Sequence, residues 1–91
     1  MESARCKAFM YAADTGSFTK AAERLNYTPS GVSQLVGALE NETGLTLLRR
    51  TRKGVTLTPD GEILLPEVRE FLEKENRIYE LAAEVKGLLV G

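Results

Sequence analysis

Apolar residues recur along this chain at helical spacing, broken by residues that start or stop helices. Cys6, Phe9, Met10 and Ala13 fall at i, i+3, i+4 and i+7, which predicts an amphipathic helix over about residues 3 to 14, ended by Asp14-Thr15-Gly16. Ser17 is placed to cap a short second helix with Phe18, Ala21, Ala22 and Leu25 on one apolar face. Asn26 ends that helix, because asparagine tolerates the left-handed conformation. Thr28-Pro29 then reads as a cap followed by proline at the first helical position, and Val32, Leu35, Val36 and Leu39 repeat the spacing up to Gly44.

Beyond Gly44 the period changes. Leu45-Thr46-Leu47-Leu48 and Val55-Thr56-Leu57 bracket the basic turn Arg49-Arg50-Thr51-Arg52-Lys53-Gly54, which predicts a small β-hairpin leaning on the helices. Thr58-Pro59 repeats the cap-plus-proline start, and Asp60 and Glu62 put negative charge where a helix dipole favours it. A long fourth helix follows, from Pro59 to about Lys86. Leu64, Val68, Phe71, Glu75, Ile78, Ala82 and Val85 step by alternating fours and threes, a heptad seam flanked by Leu65, Leu72 and Tyr79. Such a helix would be roughly 40 Å long, more than so small a domain can cover, and its surplus apolar face predicts a partner chain. Pro66 removes a backbone hydrogen bond inside it, so a kink is expected there.

Composition narrows what this scaffold can do. With 91 residues, no His and one Cys, the chain has room for one small domain plus an appendage, and it holds no Ser-His-Asp triad, no Cys-His pair and no His-ligated metal. No metal site or cofactor is expected, and no small-molecule site. Cys6 reads as a small core residue. No apolar run approaches a membrane span, and a lone Cys is compatible with a reducing cytoplasm. The net charge of −1 argues against a nucleic-acid partner only as an average. Residues 1–57 carry eight Lys/Arg against five acids, a surplus of +3, whereas residues 58–91 carry four against eight, a deficit of −4.

The second and third helices have the spacing of a helix-turn-helix. Ala22 supplies the small residue at closest approach, Asn26 the turn, and Leu25, Val32 and Leu35 the apolar anchors. Ser30, Ser33, Gln34 and Gly37 form a short, neutral, hydrogen-bonding face on the third helix, suited to base edges. Arg49, Arg50, Arg52 and Lys53 follow in a turn that can lie along phosphates or dip into a minor groove.

Gly16-Ser17-Phe18-Thr19, Ala21-Ala22, Leu25, Val32-Ser33, Leu39-Glu40, Gly44, Leu47, Arg50 and Leu57-Thr58-Pro59-Asp60-Gly61-Glu62 together resemble the N-terminal domain of LysR-type transcriptional regulators. The resemblance spans essentially the whole chain. It implies a mainly α winged helix-turn-helix over residues 1–58, with three helices and a hairpin wing, then a linker helix over 59–86 that pairs two subunits antiparallel. It also implies that the third helix enters the major groove of operator DNA, in a bacterial cytoplasm at the nucleoid. Family members use Ser or Thr at positions matching Thr19, Thr28 and Ser33, and basic residues matching Arg50 and Arg52, to contact DNA. Ser17, Thr19 and Thr28 are accordingly expected beside Arg49, Arg50, Arg52 and Lys53 on the phosphates, and Leu64, Val68, Phe71, Ile78, Tyr79, Ala82 and Val85 at the dimer interface.

The chain departs from the family where it matters for readout. Thr28-Pro29 stands where Ser-Gln is common, and Pro29 cannot replace a DNA-contacting Gln, so Ser30, Ser33 and Gln34 are expected to carry more of the base reading. Leu48 replaces a usual Phe and Thr43 a usual Leu, changes expected to alter packing beneath the wing. Gly87-Leu88-Leu89-Val90-Gly91 resembles the point where the linker helix gives way to the first strand of an effector-binding domain. Residues 87–91 are therefore expected to be a stub of that domain, in a fragment of a longer regulator or a natural short form. The competing expectation is a protein-interaction or dimerisation module in which the winged helix is only scaffold and DNA is not read. Neither reading is an enzyme.

Overall fold

The computed structural model describes residues 1–90, with side chains described through Leu88. The elements run α1 (Ser3–Thr15), α2 (Phe18–Leu25), α3 (Pro29–Thr43), β1 (Leu48–Thr51), β2 (Gly54–Leu57) and α4 (Pro59–Val90). Capping chemistry sets the boundaries. Ser17 Oγ accepts from the Lys20 N–H at 3.2 Å and Thr28 Oγ1 from the Gly31 N–H at 3.0 Å, each satisfying a helix donor that has no partner within its own helix. Asn26 adopts the left-handed conformation at φ 58° and returns its N–H to the Ala22 carbonyl, which turns the chain between α2 and α3.

Helix α1 lies at the centre and packs against α2, α3, α4 and β2. This explains a difference from the single stripe expected of it. Ala8 and Ala12 are fully buried along with Cys6 and Phe9, while Met10 and Ala13 are only partly covered. A helix with neighbours on several sides needs small residues where the backbones approach, and the two alanines supply them. Phe9, Leu39, Leu47, Val32, Val36 and Cys6 are the largest fully buried side chains. Burial pushes the Cys6 thiol up, away from thiolate chemistry, as befits a core residue.

Helix α4 divides along its length. Leu65 and Val68 are buried in the core, with Leu64 and Leu72 packed at its margin. Arg69 adds a fork to Asp14 of α1, donating through Nη1 to Oδ2 at 3.0 Å and through Nη2 to Oδ1 at 2.5 Å. Beyond Leu72 the apolar seam becomes exposed, and Ile78, Tyr79 and Val85 are 58%, 71% and 46% exposed. The heptad seam therefore serves two surfaces. Val68, expected on a partner-facing seam, is committed to this chain's own core, and Leu64 borders it. The helix covers 32 residues, and the molecule's longest dimension is 55 Å.

Pro66 lies inside the helix, which runs from Pro59 to Val90. Both Pro66 and Glu62, whose carbonyl loses its helical partner, are exposed, so water can serve that carbonyl. The helix also continues through Gly87 to Val90, where a strand was expected, and Gly91 lies outside the described residues. A helix satisfies its backbone internally whereas a strand needs a neighbour, and a single glycine costs a helix only about 1 kcal/mol. Among the described residues no helix is long and apolar enough to cross a membrane.

The start of α4 is held against the loop before the wing. Thr58 donates its N–H to the Leu47 carbonyl at 3.0 Å and its hydroxyl to the Thr46 carbonyl at 2.6 Å, and its Oγ1 accepts the Gly61 N–H at 3.0 Å. Gly61 is required by this approach, since an added Cβ would sit 2.1 Å from the Leu47 carbonyl oxygen. Helix propensity alone predicts that Gly61→Ala stabilises by about 1 kcal/mol. The contact predicts the opposite sign, a loss of about 2 kcal/mol or more in urea denaturation.

Candidate nucleic-acid interface

The turn between α2 and α3 is built as its spacing implies. Ala22 is buried at the crossing, Val32 is fully buried beneath α3, and Leu25 and Leu35 pack against the same core. With that face committed inward, Ser30, Ser33, Gln34 and Gly37 share the other face by their three- and four-residue spacing. Ser30 and Gln34 are exposed, and at Gly37 an added Cβ would meet nothing within 4 Å, so the helix surface there is open. Thr28, at the start of α3, borders a surface groove also lined by Gln34.

The wing pairs Leu48 with Leu57, Arg49 with Thr56, Arg50 with Val55 and Thr51 with Gly54, leaving Arg52-Lys53 as a two-residue tip. Strand alternation then sorts the basic residues. Arg50 shares the inward side of β1 with buried Leu48, whereas Arg49 points the other way. The Arg50 guanidinium accordingly lies 4.8 Å over the Phe18 ring and donates through Nη1 to Ser33 Oγ at 2.8 Å. The Val55 N–H bonds the Gly16 carbonyl at 2.9 Å, tying the wing to the α1–α2 turn. Gly54 fits only as glycine, at φ +133°, with room for a Cβ closed off by the Gly16 carbonyl at 2.1 Å.

These ties bring Ser17, Thr19, Arg50 and Arg52 together around a cleft of about 270 Å³ between the start of α2 and the wing. Arg49 and Lys53 lie outside it, on the exposed side and tip of the hairpin. Among the described residues Arg49, Arg52 and Lys53 enter no ion pair. Ser17 and Thr28 use their hydroxyl oxygens as helix caps, which leaves their O–H groups as donors.

Two carboxylates that position this surface escaped the sequence reading. Glu40 accepts the Leu47 N–H at 2.7 Å and the Leu48 N–H at 3.3 Å, fixing the base of the wing to the end of α3. Glu42 pairs with Arg5 and with the N-terminal ammonium at 3.5 Å, tying the same end of α3 to α1. A signal was present. Two acids near a helix C-terminus with no basic residue in the last turn oppose the dipole, so each calls for a compensating donor elsewhere in the fold.

The architecture and the paired surfaces define a winged helix-turn-helix protein. Residues 4–62 match the family described as bacterial regulatory helix-turn-helix protein, lysR family, and the chain belongs to that family. It is 41% identical over 86 residues to the HTH-type transcriptional regulator YvbU of Bacillus subtilis, covering 93% of this chain and 30% of that protein. It is 42% identical over 94 residues to the regulator AlsR of the same organism, covering 99% and 31%. Among solved structures, a CbnR_DBD–DNA complex superposes with a TM-score of 0.87 at 30% identity, over 93% of this chain and 98% of that one. A BenM_DBD/catB site 1 DNA complex gives 0.87 at 27% identity, over 93% and 96%. The chain thus spans about 30% of the length of these curated relatives.

The Glu42 tie carries a pH signature. The hydrogen bond from Arg5, helped by the N-terminal ammonium, holds the Glu42 carboxyl below the usual carboxylate range. A depressed native value means that the unfolded chain binds more protons on acidification, so this stabilisation is present at neutral pH and lost as pH falls through and below about 4. In thermal unfolding followed against pH, Glu42→Gln is expected to lower the neutral-pH midpoint and flatten the acid limb.

Proposed function

We propose that this chain is the sequence-reading DNA-binding domain of a bacterial transcriptional regulator, acting as a homodimer on operator DNA in the cytoplasm, at the nucleoid. The observation that carries this reading is the joining of the open polar face of α3 to a basic wing through the Arg50–Ser33 contact. A helix with short side chains on its outer face fits a major groove, where Ser30, Ser33, Gln34 and the open surface at Gly37 meet base edges. Arg49, Arg52 and Lys53, with Ser17, Thr19 and Thr28, take phosphates and set register. The DNA complexes among the similar structures support this reading.

Residues 1–58 form the reading unit and residues 59–86 the linker. Phe71, Ile78, Tyr79, Ala82 and Val85 supply the linker's dimer face, because their exposed apolar surface calls for a cover and a second copy offers a matching one. Pairing through α4 would fix the distance between two half-sites. The role is binding, not catalysis: the surface offers donors and positive charge, and the sequence contains no His to act as a base.

Sedimentation of the chain with duplexes selected from a randomised pool, over a range of salt, tests this directly. Two chains per duplex are expected. Arg52→Glu should weaken binding to all sequences alike and reduce the log–log salt slope by about 1, and Ile78→Asp should yield a monomer in the absence of DNA. Salt-independent binding, or an unchanged mass for Ile78→Asp, contradicts the assignment.

A further inference from the structure

Arg50 contacts Ser33 across two elements, and the chemistry of that contact has a direction. A guanidinium can only donate, so Ser33 Oγ must accept at 2.8 Å. The serine hydroxyl then has one proton to place, and its usual acceptor would be the helix carbonyl one turn back. Thr15 and Thr43 make that bond, to Tyr11 and Leu39. Ser33 does not: among the described residues its hydroxyl donates to no protein group, and it stands on the outward face of α3.

We infer that Arg50 is a positioning residue for base selection, fixing Ser33 as a hydrogen-bond donor so that α3 favours a base edge that accepts. The inference rests on the DNA-reading function proposed above. In the major groove, purine N7, guanine O6 and thymine O4 accept, whereas cytosine presents only its amino donor. With one Ser33 lone pair taken by Arg50, an accepting base edge uses the free O–H. A cytosine can meet only the remaining lone pair and leaves that proton without a base partner, so cytosine is disfavoured opposite Ser33. Arg50 is itself held for this task. The Phe18 ring lies beneath its guanidinium, and the Val55–Gly16 hydrogen bond anchors the strand opposite it. Its role therefore differs from that of Arg52 at the tip, which contributes charge.

Selection from a randomised duplex pool, followed by affinity ratios for single-base changes, separates the two roles. In the native chain one position should disfavour cytosine by about fivefold to tenfold, the worth of one well-made hydrogen bond to a base. Ser33→Ala should abolish that ratio. Arg50→Met, which keeps an apolar stem over Phe18 but no donor, should reduce the ratio at the same position to below about twofold, and adding it to Ser33→Ala should change the ratio no further. Arg52→Met should weaken all sequences equally and leave the ratio intact, with thermal midpoints of all the variants matching the native chain. The inference is overturned if Arg50→Met behaves as Arg52→Met does, if it alters a different position from Ser33→Ala, or if Ser33→Ala alters none. A native chain that enriches no sequence overturns the DNA-reading function itself, and this inference with it.

Discussion

Leu47 is the point on which the arrangement of the molecule depends. Its side chain is fully buried, its N–H is taken by the Glu40 carboxylate at the end of α3, and its carbonyl receives Thr58 at the start of α4. Gly61 presses against that same carbonyl. One residue thus joins the helix that faces outward, the base of the wing and the root of the long linker. A buried backbone group must be satisfied, and here each satisfied group also sets the position of a different element. The wing has a second anchor at Gly16, so it is held at its base and near its tip and can present Arg50 to α3. A two-stranded hairpin has little stability alone, which makes these two anchors the reason it has a defined place.

The same economy governs α1 and α4. Helix α1 buries two alanines to admit neighbours on several sides, and α4 spends its first turns closing the core before leaving it. Arg69 and Asp14 tie the two helices together at the surface. Charge follows this division. The basic surplus lies in the helix-turn-helix and wing, and the acids lie along the linker, so a net charge of −1 conceals a surface suited to phosphates.

Features written in single residues were legible in the sequence. Ser17, Asn26, Thr28 and Gly44 each set a helix boundary through local chemistry, and the lysR-family resemblance rested on such residues at fixed spacing. The small-residue crossing at Ala22 was legible for the same reason, and so was the existence of a hairpin. Its first strand, however, runs over Leu48–Thr51, through residues expected in the turn, because the ladder pairs Arg49 and Arg50 with Thr56 and Val55. Features that depend on where distant residues meet were not. Glu40 reaches Leu47 seven residues away, and Arg50 reaches Ser33 across seventeen, with no periodic signal to announce either. The partition of the α4 seam was hidden because Val68 and Ile78 lie on the same apolar seam, and only the packed fold decides that Val68 is covered and Ile78 is not. Of the candidate site, the structure gathers Ser17, Thr19, Arg50 and Arg52 around one cleft, and it gives Arg50 a partner that its charge alone did not imply.

The central claim is that the outward face of α3 and the wing form a single DNA-reading surface. Backbone amide NMR during titration with a selected duplex tests it most directly. Residues 28–37 and 49–54 should shift together over one concentration range, while the exposed half of α4 beyond Leu72 stays unperturbed by direct contact. Shifts confined to that half of α4, or α3 and the wing responding in separate concentration ranges, would contradict it.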